Sequence, residues 1–303
     1  MAGRLLLLDT ASLYYRAFFG LPDSLKAPDG TVVNALRGMV DFTATLVERY
    51  EPEAVVACWD DDWRPQWRVD LVDTYKTQRL AEGSADSEET PDLLAPQVPL
   101  IAEVLAAAGI AVIGADEAEA DDVIGTLVHR WRGPIDVVTG DRDLMQLVDD
   151  TQPMRLLYTA RGVAKHEVVD DAWVQAKYGV PPSRYVDFAV LRGDASDGLP
   201  GVAGIGDKTA AALITEHGDL DAILAAAGDR SVTMRPKVRS SLRDSADYVA
   251  RAREVVTVRP DLDLPDVEPL QALDEQALAT LSAFGERWGV ESPVGRLVQR
   301  LSR

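Results

Sequence analysis

Arg4-Leu5-Leu6-Leu7-Leu8 runs directly into Asp9, and this short apolar stretch ending on an acid decides how the rest is read. The pattern returns at Ala54-Val55-Val56-Ala57-Cys58, which leads through Trp59 into Asp60. It returns again at Ile135-Asp136-Val137-Val138, which leads through Thr139-Gly140 into Asp141, and Ile110-Ala111-Val112-Ile113 is a fourth run of strand length. Short, nearly unbroken apolar runs suit strands buried on both faces, and such strands belong to parallel sheets. Between them, residues 36–50, 97–108 and 122–132 space their apolar positions as helices do. The expectation is an α/β domain over residues 1–180, a mainly parallel twisted sheet with helices on both faces. Sites in such sheets open at the carboxyl ends of the strands, so Asp9, Asp60 and Asp141 are expected to share a cleft.

Outward from these strands the composition changes twice. Residues 61–95 turn polar, from Asp61-Asp62-Trp63-Arg64 through Tyr75-Lys76-Thr77-Gln78-Arg79 to Glu88-Glu89, and read as a mobile excursion from the sheet. A loop of that length in a compact domain usually serves as a lid or gate. Beyond Val180-Pro181-Pro182 strand signals fade, and residues 183–191, 207–217 and 221–227 read as helices of a second lobe spanning 181–303.

With 50 acidic against 31 basic side chains, the net charge is −19, the wrong sign for coating nucleic acid through the overall field. A nucleic-acid role requires acids gathered at a cation-binding site and basic residues segregated elsewhere. The sequence has no apolar run of about 18 residues and no secretory leader, so no membrane role and a cytoplasmic location are expected. The one cysteine, Cys58, rules out an internal disulfide and suits a buried small side chain.

Asp9, Asp60, Glu119, Asp121, Asp122, Asp141, Asp143, Asp194 and Asp197 mostly stand at turns beside strand ends or at helix starts. Each has an ordinary reading: Asp116 to Glu119 fits a capping box, Asp121 and Asp122 suit a helix N-terminus, and Asp141-Arg142-Asp143 suits a turn. Together they ask for more. Two carboxylates about 4 Å apart repel by roughly 4 kcal/mol at an effective dielectric near 20, so several in one cleft need protons or cations. An all-oxygen set, with His129, His166 and His217 in no ligand-like spacing, selects magnesium or manganese over zinc. The chemistry it supports is phosphodiester hydrolysis. A phosphatase would want an acid two residues after its nucleophile, but Asp9 is followed by Thr10-Ala11.

Gly201-Val202-Ala203-Gly204-Ile205-Gly206-Asp207-Lys208-Thr209 lets the backbone approach a ligand closely and then opens a helix whose free amides hold an anion. It follows a helix and a loop, so it reads as a helix, glycine turn and helix over about 183–217, gripping a DNA backbone without reading bases. Arg230, Arg235, Lys237, Arg239 and Arg243 then form a basic stretch, either a DNA-facing surface or a solvated helix face.

In order along the chain stand Asp9-Thr10-Ala11-Ser12-Leu13-Tyr14-Tyr15-Arg16-Ala17-Phe18, Trp59-Asp60, Tyr75-Lys76 with Arg79, and Glu119-Ala120-Asp121-Asp122. Thr139-Gly140-Asp141-Arg142-Asp143-Leu144 follows, then Gly193-Asp194-Ala195-Ser196-Asp197 running to Gly206-Asp207-Lys208-Thr209. By this ordered set the chain resembles the flap endonuclease and 5′ nuclease family, in the bacterial branch found at the front of DNA polymerase I, over nearly its whole length. The resemblance implies a PIN-like core, a helical arch at about 61–95 that a 5′ single strand passes through, and a helix-3-turn-helix hairpin in the helical lobe. It implies that the nine acids bind two or three magnesium or manganese ions. Lys76 would contact the scissile phosphate, Arg79 would assist it electrostatically, and Tyr75 would pack or stack against DNA. Arg16 would lie near the substrate, while Lys208 and the amides of Gly204, Ile205 and Gly206 would hold the duplex. Ser196 and nearby carbonyls would be similar to the family's monovalent-ion site, taking potassium.

The implied activity is cleavage of DNA at 5′ flaps, nicks and 5′ ends in replication and repair, by a monomer. Gly198 and Trp59 stand where bacterial relatives commonly have asparagine and phenylalanine, and neither change removes a ligand. The chain stops at Arg303, so a free-standing enzyme is expected, and Val298 to Arg303 lacks the aromatic pair of a sliding-clamp peptide. Two rivals remain, a related acidic-cleft ribonuclease and a catalytically idle binder of branched DNA.

Overall fold

The computed structural model describes residues 3–302, so Met1, Ala2 and the tail residue Arg303 lie outside it. Strands β1 (Leu5–Asp9), β2 (Ala54–Cys58), β3 (Ala111–Ile113), β4 (Ile135–Thr139), β5 (Met154–Tyr158) and β6 (Glu167–Val169) form one sheet in the order β3-β2-β1-β4-β5-β6. All neighbouring pairs are parallel except β5 with β6. Leu5 and Leu7 point into one apolar layer and Leu6 and Leu8 into the other, which is why alternation is missing from the sequence. Strands β5 and β6 extend the four runs read above; Arg155 interrupts the first and the second is three residues long.

The helices are α1 (Thr10–Gly20), α2 (Asn34–Tyr50), α3 (Gln66–Leu71), α4 (Gln97–Ala107), α5 (Ala120–Arg130), α6 (Asp171–Tyr178) and α7 (Tyr185–Arg192). They continue as α8 (Asp207–His217), α9 (Leu220–Gly228), α10 (Pro236–Asp244), α11 (Ala246–Val256), α12 (Glu275–Trp288) and α13 (Glu291–Leu301). Helices α1, α2 and α4 cover the Leu6 face, while α5 and the lobe helices α7 to α11 share a core with the Leu5 face. Residues 275–301, read above as part of the lobe, return to the sheet domain instead. Val294 and Leu297 of α13 join the Leu6-side core beside Leu36, Met39 and Val40 of α2, and Leu281 and Phe284 of α12 enter the same core beside α4. No helix among the described residues is long and apolar enough to cross a membrane.

The insertion at 61–95 is helical only in part, carrying α3 and a single 3-10 turn at Thr77–Arg79. It is also fastened down. Gly198 adopts a left-handed φ of +69°, and a Cβ there would fall 1.9 Å from the Thr74 carbonyl oxygen. The glycine therefore lets the foot of the insertion dock against the loop of Asp194 and Asp197, with the Thr74 hydroxyl donating to the Gly198 carbonyl at 2.7 Å.

Candidate active site

Strand order reverses beside β1, which has β2 on one side and β4 on the other, and the acids gather where these strands end. Asp9 closes β1 and caps α1, accepting from the Ser12 amide at 3.2 Å. Its other oxygen accepts from the Thr139 hydroxyl at 2.6 Å, and that hydroxyl in turn accepts the Asp141 amide at 2.7 Å. Thr139 thus joins the acid of β1 to the acid beyond β4. Asp60 accepts the Ala120 amide at 2.7 Å, tying the end of β2 to the start of α5.

Asp9, Asp60, Glu119, Asp121 and Asp141 line a cleft of 220 Å³, closed on the insertion side by Trp63, Lys76, Arg79 and Glu88. One carboxylate oxygen from each of Asp143, Asp194 and Asp197 lies within 4.8 Å of the other two, which makes a second acidic group. Eight of the nine expected acids fall in these two groups.

The electrostatics follow from crowding in a dry place. Burial, followed by the Asp60 and Asp141 charges, pushes the Asp9 carboxyl up to about 7 against the pull of Thr139. Burial first, and the neighbouring acids second, also raise Asp121 and Asp143 well above the usual carboxylate range. Asp197 is raised to about 6, chiefly by burial, with Lys76 and Arg79 pulling it down. Asp194 is the exception, because hydrogen bonds from Ser196 and Arg142 outweigh its burial and hold it below the ordinary value. Asp143 Oδ1 is buried without a hydrogen-bond partner. Such an orphaned oxygen, among acids that resist ionising together, fits a divalent cation held by hard oxygen ligands.

Asp122 requires a correction. It is fully buried, and both its oxygens accept from the Arg68 guanidinium at 2.7 Å. The amides of Glu119 and Arg259 add 3.2 and 3.0 Å bonds, so every lone pair has a donor and the side chain belongs beneath the cleft. Tyr75 also differs from its reading. It is 5% exposed and its hydroxyl donates to Glu119 at 2.8 Å, so the ring braces the site from inside and offers DNA no face.

Lys76 is buried in a left-handed turn, its ammonium donating to Glu119 and to the Trp63 carbonyl. Burial works against the charge there, but Glu119 prevails and holds the ammonium well above the usual lysine value. Arg79 pairs with Asp197 at 2.6 Å. Arg16 donates to the Ala160 carbonyl at 3.4 Å and lines an adjoining open groove that shares Ser12 and Tyr15 with the cleft.

The carboxylate loop and the glycine turn are one continuous connection between α7 and α8. Its neck is tight, since a Cβ on Gly193 would fall 2.6 Å from the Gly201 nitrogen. Gly204, Gly206 and Lys208 are exposed at the tip, and Gly206 caps α8. Ile205 departs from its expected role, for its side chain is buried and its amide is used on the Val202 carbonyl at 2.9 Å. Ser196 is engaged within its own turn: its hydroxyl and amide both go to Asp194 and its carbonyl accepts from Gln78.

Sequence reading missed Arg68, Arg142, Thr139 and Glu88. Thr139 and Arg142 lie inside the quoted motif around Asp141, whereas nothing local marks Arg68 as buried or Glu88 as lining the cleft.

The family model for the 5′-3′ exonuclease N-terminal resolvase-like domain matches residues 4–179, and that for the 5′-3′ exonuclease C-terminal SAM fold matches 180–277. A curated 5′-3′ exonuclease of Streptomyces coelicolor is 52% identical over 300 residues, spanning 98% of this chain and 100% of its own. A 5′-3′ exonuclease of Mycobacterium tuberculosis is 48% identical over 316 residues, spanning 99% and 98%. The solved structure of T5 5′-exonuclease with divalent zinc ions superposes at a TM-score of 0.67 with 17% identity, covering 98% of this chain and 99% of that one, and shares the fold. Since both domain models match in sequence order and relatives align from end to end, this chain belongs to the 5′-3′ exonuclease family.

Proposed function

We propose that the protein is a cytoplasmic, monomeric DNA nuclease that hydrolyses phosphodiesters at 5′ flaps, nicks and 5′ ends with magnesium or manganese. The observation that carries this reading is the convergence of five acids from separate strand ends and the start of α5 on one cleft, with Lys76 and Arg79 at its wall and a second group of three acids completed by the α7–α8 loop. Asp9, Asp60, Glu119, Asp121 and Asp141 would hold divalent ions on one side, and Asp143, Asp194 and Asp197 on the other. When bound, such ions activate water and stabilise the departing oxygen.

The chain's own groups do the rest. Lys76 and Arg79 place positive charge where a phosphate entering the cleft gathers negative charge. Glu119 keeps the Lys76 ammonium at the wall until substrate competes for it. The amides of Gly204 and Gly206 with Lys208 hold duplex phosphates, which positions the DNA without reading its bases. Such a protein selects a DNA shape and not a sequence.

A 5′-labelled flap substrate tests this with magnesium, manganese or chelator, comparing the wild type with Asp141→Asn. The expected result is a short labelled product that requires metal, and a loss on the order of 10²-fold or more in the variant with DNA binding retained. Metal-tightened binding without any cut would favour the idle binder, and preference for an RNA flap would favour the ribonuclease.

A further inference from the structure

We infer that Arg68 is a positioning residue that sets the cleft carboxylates from beneath and links their setting to the DNA-holding lobe. This rests on the nuclease reading, but its own site lies outside the reacting groups. Arg68 stands on α3 and is 3% exposed. Its two terminal nitrogens grip Asp122 at 2.7 Å each, one of them also reaches Glu119 at 3.2 Å, and Nε donates to the Val255 carbonyl at 3.0 Å. Val255 lies in the last turn of α11, where helix carbonyls lack partners within the helix. One guanidinium thereby joins the insertion, the start of α5 and the end of α11.

Two consequences follow from these contacts. Glu119 has one oxygen on Arg68 and Tyr75 and the other on Lys76, so the guanidinium fixes the carboxylate that holds the cleft lysine. Helix α11 also carries Tyr248, whose hydroxyl accepts the Gly201 amide at 3.0 Å at the neck of the glycine turn. A path runs from that turn to Tyr248, along α11 to Val255, and through Arg68 to Glu119 and Lys76. Only a planar fork serves all three segments at once, so lysine, with charge but no fork, does not substitute.

Arg68→Lys tests the fork, and Arg68→Gln with Asp122→Asn removes both buried charges together, so that no lone ion destabilises the fold. Three quantities are read in variants that melt near the wild-type temperature. They are Mn²⁺ affinity without DNA by electron paramagnetic resonance, flap DNA affinity in chelator by fluorescence anisotropy, and single-turnover cleavage at saturating DNA. The expected result is a roughly 10–100-fold loss in the cleavage rate and a weakened Mn²⁺ affinity, with DNA affinity retained. Wild-type rate and Mn²⁺ affinity in either folded variant would overturn the assignment. Adding Tyr248→Phe completes a double-mutant cycle. Losses smaller than the product of the single losses support the link to the lobe, and simple multiplication rejects it. If the wild type itself fails to cut flaps, the nuclease reading falls while the Mn²⁺ comparison still decides the role of Arg68.

Discussion

Lys76 keeps an ammonium buried against a carboxylate before any phosphate arrives, so its removal separates chemistry from binding. Lys76→Ala should lower single-turnover cleavage on the order of 10²-fold while flap DNA affinity measured in chelator changes little. A variant that binds poorly but cuts at full rate when saturated would reassign Lys76 to substrate holding. At this scale the sequence marks the acids as a set but not where each one points. Asp121 and Asp122 are neighbours, and both suit a helix N-terminus. A helix turns about 100° per residue, so one faces the cleft and the other faces inward. The deciding partner of Asp122 is Arg68, 54 positions away, and no local pattern carries that information. Tyr75 was misread for the same reason, since its hydrogen bond to Glu119 spans 44 positions.

Elements whose signal is periodic were legible. The four apolar runs are strands, and residues 207–217 form α8 with the bounds that their sequence suggests. The insertion was not, because Arg68, Tyr75 and Lys76 are polar or amphipathic side chains whose burial depends on distant partners. The basic stretch divides in a way that a charge count cannot show. Arg239 gives its guanidinium to the carbonyls of Ala226, Ala227, Asp229 and Val232, locking the end of α9. Lys237 instead reaches the glycine turn, its Cε 3.9 Å from where a Cβ on Gly204 would stand. Lys237→Ala and Lys208→Ala should each weaken duplex affinity across all sequences and reduce the salt slope by about 1, leaving the saturated cleavage rate intact. Affinity titrations at several salt concentrations check this, and an unchanged slope would remove either lysine from the interface.

The net charge of −19, which pointed away from DNA, takes on another meaning once acids cluster. Folded Asp9 titrates near 7 and Asp197 near 6, both raised from an ordinary 3.8 mainly by burial. Between about pH 4 and 7 the folded chain therefore holds more protons than the unfolded one. Stability in chelator should fall as pH rises through that window. Magnesium, which favours the ionised acids, should flatten or reverse the trend. Melting curves at pH 6 and 8, with chelator or magnesium, decide the point, and a chelated protein that melts higher at pH 8 would contradict these protonation states.

The return of α12 and α13 to the sheet has a consequence during synthesis. The Leu6 face of the sheet and the buried side of α2 leave the ribosome early, but their cover over residues 275–301 is made more than 200 residues after α2. While the chain is nascent, Leu36, Met39 and Val40 lack their final partners, a state that favours association with other unfinished chains. Removing residues 275–303 should leave an aggregating product, visible by sedimentation, although every cleft acid is retained. Folding of the nuclease is thus expected to complete only after α12 and α13 have cleared the exit tunnel, so a polypeptide stalled before that point is a substrate for chaperones before it is a hazard to DNA.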